Sequence, residues 1–132
     1  MTGYSDKSLK DKLGLKEGMS SHFSHAPVEY FEELGLRAAP NRGADEDGVY
    51  DFIHAFFKEK AQLEASSHIL VSKLAEGGFL WVSWPKQTSG VKTDITEQDL
   101  RDVLLPLGVV DNKVCAVSDI WSGLKFVWRR GF

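Results

Sequence analysis

A single cysteine in 132 residues rules out an intramolecular disulfide, the staple on which many small secreted domains depend. The same scarcity excludes the paired-cysteine spacings of structural zinc sites. Cys115 lies in the apolar run VCAV, so a buried thiol in a reducing, cytoplasmic setting is expected. Long apolar runs are missing too. None approaches the roughly 20 residues of a membrane span, and the opening stretch MTGYSDKSLKDKLG lacks the apolar core of a secretory leader. No membrane partner is expected. Nor is there an excess of positive charge: 16 Lys and Arg stand against 19 Asp and Glu, for a net charge of −3. That balance offers no basic footprint for a phosphate backbone, so nucleic acid is not an expected partner. The one basic pair, Arg129-Arg130, reads as a solvated strand end. Internal repeats and low-complexity segments are absent.

What is present is a globular composition, 42% hydrophobic and 27% charged. Residues 1–132 read as one domain, long enough to bury roughly two-thirds of the unfolded surface. Residues 5–14 have helical spacing, with Leu9 and Leu13 four apart and Gly14 as a left-handed stop, and form a strap over 1–16. Met19, Ser21, Phe23 and His25 alternate as in a strand. Pro27 suits the first turn of a following helix, with Val28, Phe31 and Leu34 as its inner stripe and Gly35 as its end. A very short strand is expected at 36–38, within loop.

Residues 49–57, VYDFIHAFF, read as a strand covered on both faces. A helix over 59–75 follows, with Leu63, Leu70 and Leu74 inward and Gly77-Gly78 ending it. FLWVSW, 79–84, is the next buried strand, and strand, helix, strand in this order implies a right-handed parallel crossover. Thr96 and Asp99 have capping-box spacing, and Ile95 and Leu100 stand where a hydrophobic staple packs. That helix buries Leu100, Val103, Leu104 and Leu107, and Pro106 disturbs its last turn. Strands at 109–117 and 124–129, joined through SDIWSG, make an antiparallel hairpin. The sum is an α/β, Rossmann-like, mostly parallel sheet of five or six strands, with helices on both faces and a C-terminal antiparallel hairpin.

The buried strand, long helix, EGGFLWVSW, second helix and closing hairpin over residues 49–130 resemble the second half of class I S-adenosylmethionine-dependent methyltransferases. In that fold an antiparallel final strand enters a parallel sheet, so a truncated methyltransferase-like fold is implied. LGLKEGM, LWVSWPKQTSGVKTDIT, VDNKVCAV and WSGLKFVWRR, spread over nearly the whole chain, resemble a family of small bacterial proteins known only as a domain of unknown function. That second resemblance implies no activity, cofactor or catalytic residue. The methyltransferase pattern is also broken in two places. Its first strand ends in a glycine-rich turn, whereas HFSHAP has no glycine and Pro27 removes a backbone donor. The acid that the class uses for ribose hydroxyls has no fixed counterpart; Asp45, Glu46 and Asp47 are the acids nearby.

Catalytic constellations are wanting. His22 and His25 are three apart on a strand and face opposite sides, and His54 and His68 lack ligand spacing, so no metal site is expected. Ser83 lies within a strand and not at a G-x-S-x-G elbow, and SGVKTD lacks the spacing of a phosphate loop. The remaining argument is positional: open α/β sheets bind ligands beyond the carboxyl ends of their parallel strands. That edge would gather Lys58, Trp84, Lys86, Ser89, Gly90, Lys92, Thr93, Trp121 and Ser122. Ammonium groups, hydroxyls and a bare glycine amide beside a Trp wall suit a small anion such as phosphate or carboxylate. The leading expectation is thus a non-catalytic binding or regulatory module for a small anionic ligand. A minimal methyltransferase-like enzyme that binds S-adenosylmethionine is one alternative. A protein-interaction module using an edge strand or the N-terminal helix is the other.

Overall fold

The structure, a computed structural model, describes residues 8–35 and 48–130. The short strand expected at 36–38 and the acids Asp45, Glu46 and Asp47 lie outside the described residues. The first helix, α1, spans Leu9–Leu13; the Ser8 hydroxyl accepts from the Asp11 amide, and Gly14 closes the helix at φ 80°. Strand β1 is Ser21–Ser24 and helix α2 is Val28–Leu34, with Pro27 at its N-cap and Gly35 at its end. The inner face of α2 differs from the expected stripe. Val28 is 73% exposed while Tyr30 and Leu34 are buried, because the Tyr30 hydroxyl finds a partner inside the sheet.

Strand β2 is Tyr50–Phe56, helix α3 is Lys60–Ser72 and strand β3 is Leu74–Pro85. The helix therefore ends short of the position expected for it, and Gly77-Gly78 do not terminate it. The sheet captures the chain first: Tyr50 N–H donates to the Lys73 carbonyl at 2.8 Å, and Trp128 Nε1 donates to that of Leu74 at 3.0 Å. The two glycines instead accommodate an irregularity between Tyr50/Leu74 and Phe52/Phe79 in the β2–β3 register. Gly77 takes φ 80°, and a Cβ on Gly78 would stand 2.8 Å from the Asp51 carbonyl.

Helix α4, Glu97–Leu104, begins in a complete capping box. Thr96 Oγ1 accepts from the Asp99 amide, and the Asp99 carboxylate accepts from the Thr96 amide. Ile95 and Leu100 are both buried, as a staple requires. Pro106 falls in a 3-10 turn over Leu105–Leu107 that replaces the last turn of the helix. Strands β4, Val109–Ala116, and β5, Trp121–Trp128, close the fold, so Trp121 and Ser122 belong to a strand and not to the connection between strands.

The five strands lie in the order β1-β2-β3-β5-β4. β1, β2 and β3 are parallel, β5 is antiparallel to β3, and β4 is antiparallel to β5. One face packs α3 and α4 onto Ile53, Ala55, Leu80, Val82, Trp84, Leu124 and Phe126. The other packs α1 and α2 onto Phe52, Phe56, Trp81, Cys115 and Trp121. Alternation along each strand sends successive residues to these two cores, and each fully buried Leu or Phe contributes about 1.5–3 kcal/mol.

Candidate functional site

The carboxyl ends of β1 to β3 and the β4–β5 turn emerge on one edge of the sheet. There, on the α1/α2 side, a cleft of about 410 Å³ opens. Pro27, Glu29, Tyr30 and Glu33 supply one wall, Phe56 and Lys58 the end of β2, and residues 117–121 the wall opposite; Leu9 and Val91 complete it. Its aromatic floor is continuous. The Phe56 ring meets Tyr30 at 4.9 Å and Trp121 at 5.1 Å, both edge to face, an arrangement favoured by the ring quadrupoles.

Behind that floor runs a buried polar chain. His54 Nδ1 lies 2.7 Å from the Tyr30 hydroxyl and His54 Nε2 lies 2.7 Å from Ser83 Oγ, while the imidazole stacks on Phe56 with centroids 4.2 Å apart. Complete burial holds the His54 pKa down to about 3, so the ring is neutral. Burial pushes the Tyr30 phenol above its ordinary value. A neutral imidazole has one donor and one acceptor, and here each is engaged. Ser83 is fully buried with it, so this chain orients the cleft wall and does not present a nucleophile.

The rim is acidic. Glu29, Glu33 and Asp119 face the cleft, with Lys58 as the single ammonium among the described residues of its lining. Above the end of β1, His25 holds a left-handed φ of 59°, the only positive φ among the described residues that are not glycine. The turn without a glycine thus still adopts a conformation that glycine ordinarily serves. Ser24 Oγ, 3.1 Å from His25 Nδ1, braces it.

The nine residues expected to converge are divided by the structure. Lys58 and Trp121 share the cleft. Trp84 pairs across strands with Ser122, and Pro85 with Trp121. Neighbours along a strand point to opposite faces, so Trp84 lies in the α3/α4 core, away from Trp121. In the loop after β3, Ser89 Oγ accepts from the Val91 amide, Gly90 turns at φ 82°, and Lys92 is exposed. Thr93 Oγ1 donates to the Lys58 carbonyl at 2.7 Å, tying this loop to the end of β2. Lys86 donates its amide to the Ile120 carbonyl at 2.7 Å. Tyr30, Phe56, Glu29 and Glu33 were not singled out by sequence reasoning, whereas residues 118–123 of the β4–β5 connection were expected on this edge, and 118–121 of them do wall the cleft. Tyr30 lies off the expected apolar stripe of its helix, and only its hydroxyl contact with His54 gives it away. Among the described residues no group of three His, Cys, Asp or Glu is placed to hold a metal ion, and no helix is long and apolar enough to cross a membrane.

No family model and no curated protein matches the sequence. Solved structures do. The chain is similar to an S-adenosylmethionine-dependent methyltransferase from Aquifex aeolicus, at 15% identity and a TM-score of 0.56 over 88% of this chain and 85% of that one. It is similar to LepI in complex with S-adenosylmethionine, at 10% identity and a TM-score of 0.51 over 92% of this chain and 39% of that one. A third likeness is to magnesium protoporphyrin IX methyltransferase from Synechocystis PCC 6803 with bound S-adenosylmethionine, at 18% identity and a TM-score of 0.49 over 62% of this chain. The chain spans about 40% of the length of that enzyme. At such identities the first two likenesses establish the fold alone, a Rossmann-like, methyltransferase-like α/β fold.

Proposed function

We propose that this chain is a minimal methyltransferase-like protein that binds S-adenosylmethionine in the cleft at the carboxyl edge of β1 and β2. The observation that carries this reading is the cleft itself: apolar and aromatic walls under a rim to which the described residues give three carboxylates and one ammonium. Its size falls within the roughly 300–1,000 Å³ of small-molecule sites. Phe56, Tyr30, Trp121 and Pro27 offer flat surface for an adenosyl group, and Glu29, Glu33 and Asp119 offer negative charge for a sulfonium and an amine. When bound, S-adenosylmethionine supplies an electrophilic methyl group. The chain's own part is to hold the ligand and to exclude water from it. The bacterial family that its phrases resemble belongs to the same proposal, because all of those phrases but LGLKEGM build β3, the loop after it and the β4–β5 hairpin, which walls the cleft with Trp121.

Calorimetry with S-adenosylmethionine and with S-adenosylhomocysteine tests the reading. The sulfonium form should bind more tightly than the neutral thioether, and Glu29→Gln/Glu33→Gln should erase the difference. Failure of both ligands to bind at millimolar concentration would sink it. The competing reading, a non-catalytic module for a small anion held by Lys58, Lys86 and Lys92, predicts instead a thermal shift with nucleotides or acyl phosphates that Lys86→Ala/Lys92→Ala abolishes.

A further inference from the structure

A second polar feature lies on the α1 side of the β4–β5 hairpin, away from the cleft lining. Lys113 on β4 and Lys125 on β5 stand directly opposite each other in the antiparallel register. Like charges in that relation destabilise a strand pair. Both ammonium groups turn toward α1: Lys113 Nζ donates to the Lys12 carbonyl at 3.1 Å, and Lys125 Nζ sits 4.0 Å from the centre of the Phe79 ring. Lys12, whose carbonyl Lys113 reaches, brings a third positive charge to this end of α1; it acts with Lys113 and Lys86 on the thiol of Cys115. Burial, with Lys113 adding to it, lowers the affinity of Lys125 for its proton.

Among the described residues no carboxylate forms an ion pair with any of the three. The ion pairs among the described residues are Lys60–Asp99, Arg101–Glu97 and Arg101–Asp111, all made by α4 on the other face. Asp11, next in sequence to Lys12, is exposed and takes no part in the ion pairs of the described residues. A helix C-cap explains the Lys113 contact, and ring packing explains that of Lys125. Both contacts favour the ammonium forms, and neither supplies a counter-charge.

We propose that Lys12, Lys113 and Lys125 form a binding site for a small multivalent anion, a phosphate or pyrophosphate group held between α1 and the β4–β5 hairpin. The anion would turn three repelling charges into charge-assisted hydrogen bonds. It would also clamp α1 onto the sheet, beside the Trp81 Nε1 to Leu13 carbonyl bond of 2.8 Å. Since Leu9 of α1 lines the cleft, occupancy here would steady one of its walls. The three lysines lie outside the cleft lining, so the site does not depend on the identity of the cleft's ligand.

The test is thermal unfolding of the full chain with inorganic pyrophosphate, the ionic strength being matched with potassium chloride. The wild type should show a saturable rise in Tm. Lys125→Met keeps the packing on Phe79 but removes the charge. It should unfold no earlier than the wild type in anion-free, low-salt buffer, and should bind pyrophosphate roughly tenfold or more weakly. Lys113→Arg should retain the response. Equal pyrophosphate responses in the wild type and Lys125→Met would overturn the proposal. Amide shifts on pyrophosphate titration give a second readout: changes centred on residues 12, 113 and 125 support the site, and changes centred on Lys58, Lys86 and Lys92 overturn it.

Discussion

His54 Nδ1 stands 2.7 Å from the Tyr30 hydroxyl, so an imidazole buried in β2 holds the aromatic side chain through which α2 walls the cleft. The neutral state of that imidazole has a consequence for stability. Its folded pKa, about 3, lies below its unfolded value of 6.5. The stabilisation is complete above pH 6.5 and is lost as pH falls toward 3, with a limiting slope of about 1.4 kcal/mol per pH unit. Urea midpoints measured from pH 7.5 down to about 4.5 should fall accordingly. His54→Gln, which can donate and accept but does not titrate, should flatten the profile.

Tyr30→Phe keeps the ring against Phe56 but leaves one nitrogen of the buried imidazole without its partner. The expected cost is about 1–3 kcal/mol, read as a lower urea midpoint with an unchanged slope. Ser83→Ala should cost a similar amount from the other end of the chain. Because the two residues act through one imidazole, the double variant should depart from additivity in a double-mutant cycle.

Gly78 and Gly77 are adjacent but constrained by different things. A Cβ at position 78 would meet the Asp51 carbonyl at 2.8 Å and the Ala75 carbonyl at 3.0 Å, whereas position 77 has open space and only a φ of 80° to overcome. Gly77→Ala should therefore cost about 1–2 kcal/mol. Gly78→Ala should cost more, because backbone must move. Denaturant unfolding of the two variants gives the ranking.

The α4 cap can be tested separately. Thr96→Ala removes the acceptor for the Asp99 amide and should cost about 1 kcal/mol. Thr96→Ser, which keeps the hydroxyl, should restore most of it. Hydrogen exchange at the first amides of α4 should report the loss locally.

Local chemistry was legible in the sequence wherever one or two residues settle it. Gly14 and Gly35 end their helices at left-handed φ, Thr96 and Asp99 make their reciprocal cap, and Pro106 falls where α4 gives way to a 3-10 turn. The alternation of parallel strands and helices, with a reversed final strand, was legible for the same reason: apolar period and length distinguish strand from helix. The end of α3 was not, because Leu74 serves a helical stripe and a strand equally well and the hydrogen bonds of Tyr50 and Trp128 decide between them.

The candidate site was legible as an edge and not as a set of residues. By itself the sequence determined an α/β sheet whose loops at one end are polar, since caps, turns and apolar spacing are properties of neighbours along the chain. Only the tertiary structure decided that Trp84 and Trp121 face opposite cores, and that Lys58 meets Glu29, Glu33 and Asp119 in one cleft. It also brought Lys12 over the Lys113–Lys125 pair. The reason is register. Which strand residues stand opposite one another, and which face each therefore presents, depends on pairings between segments far apart in the chain.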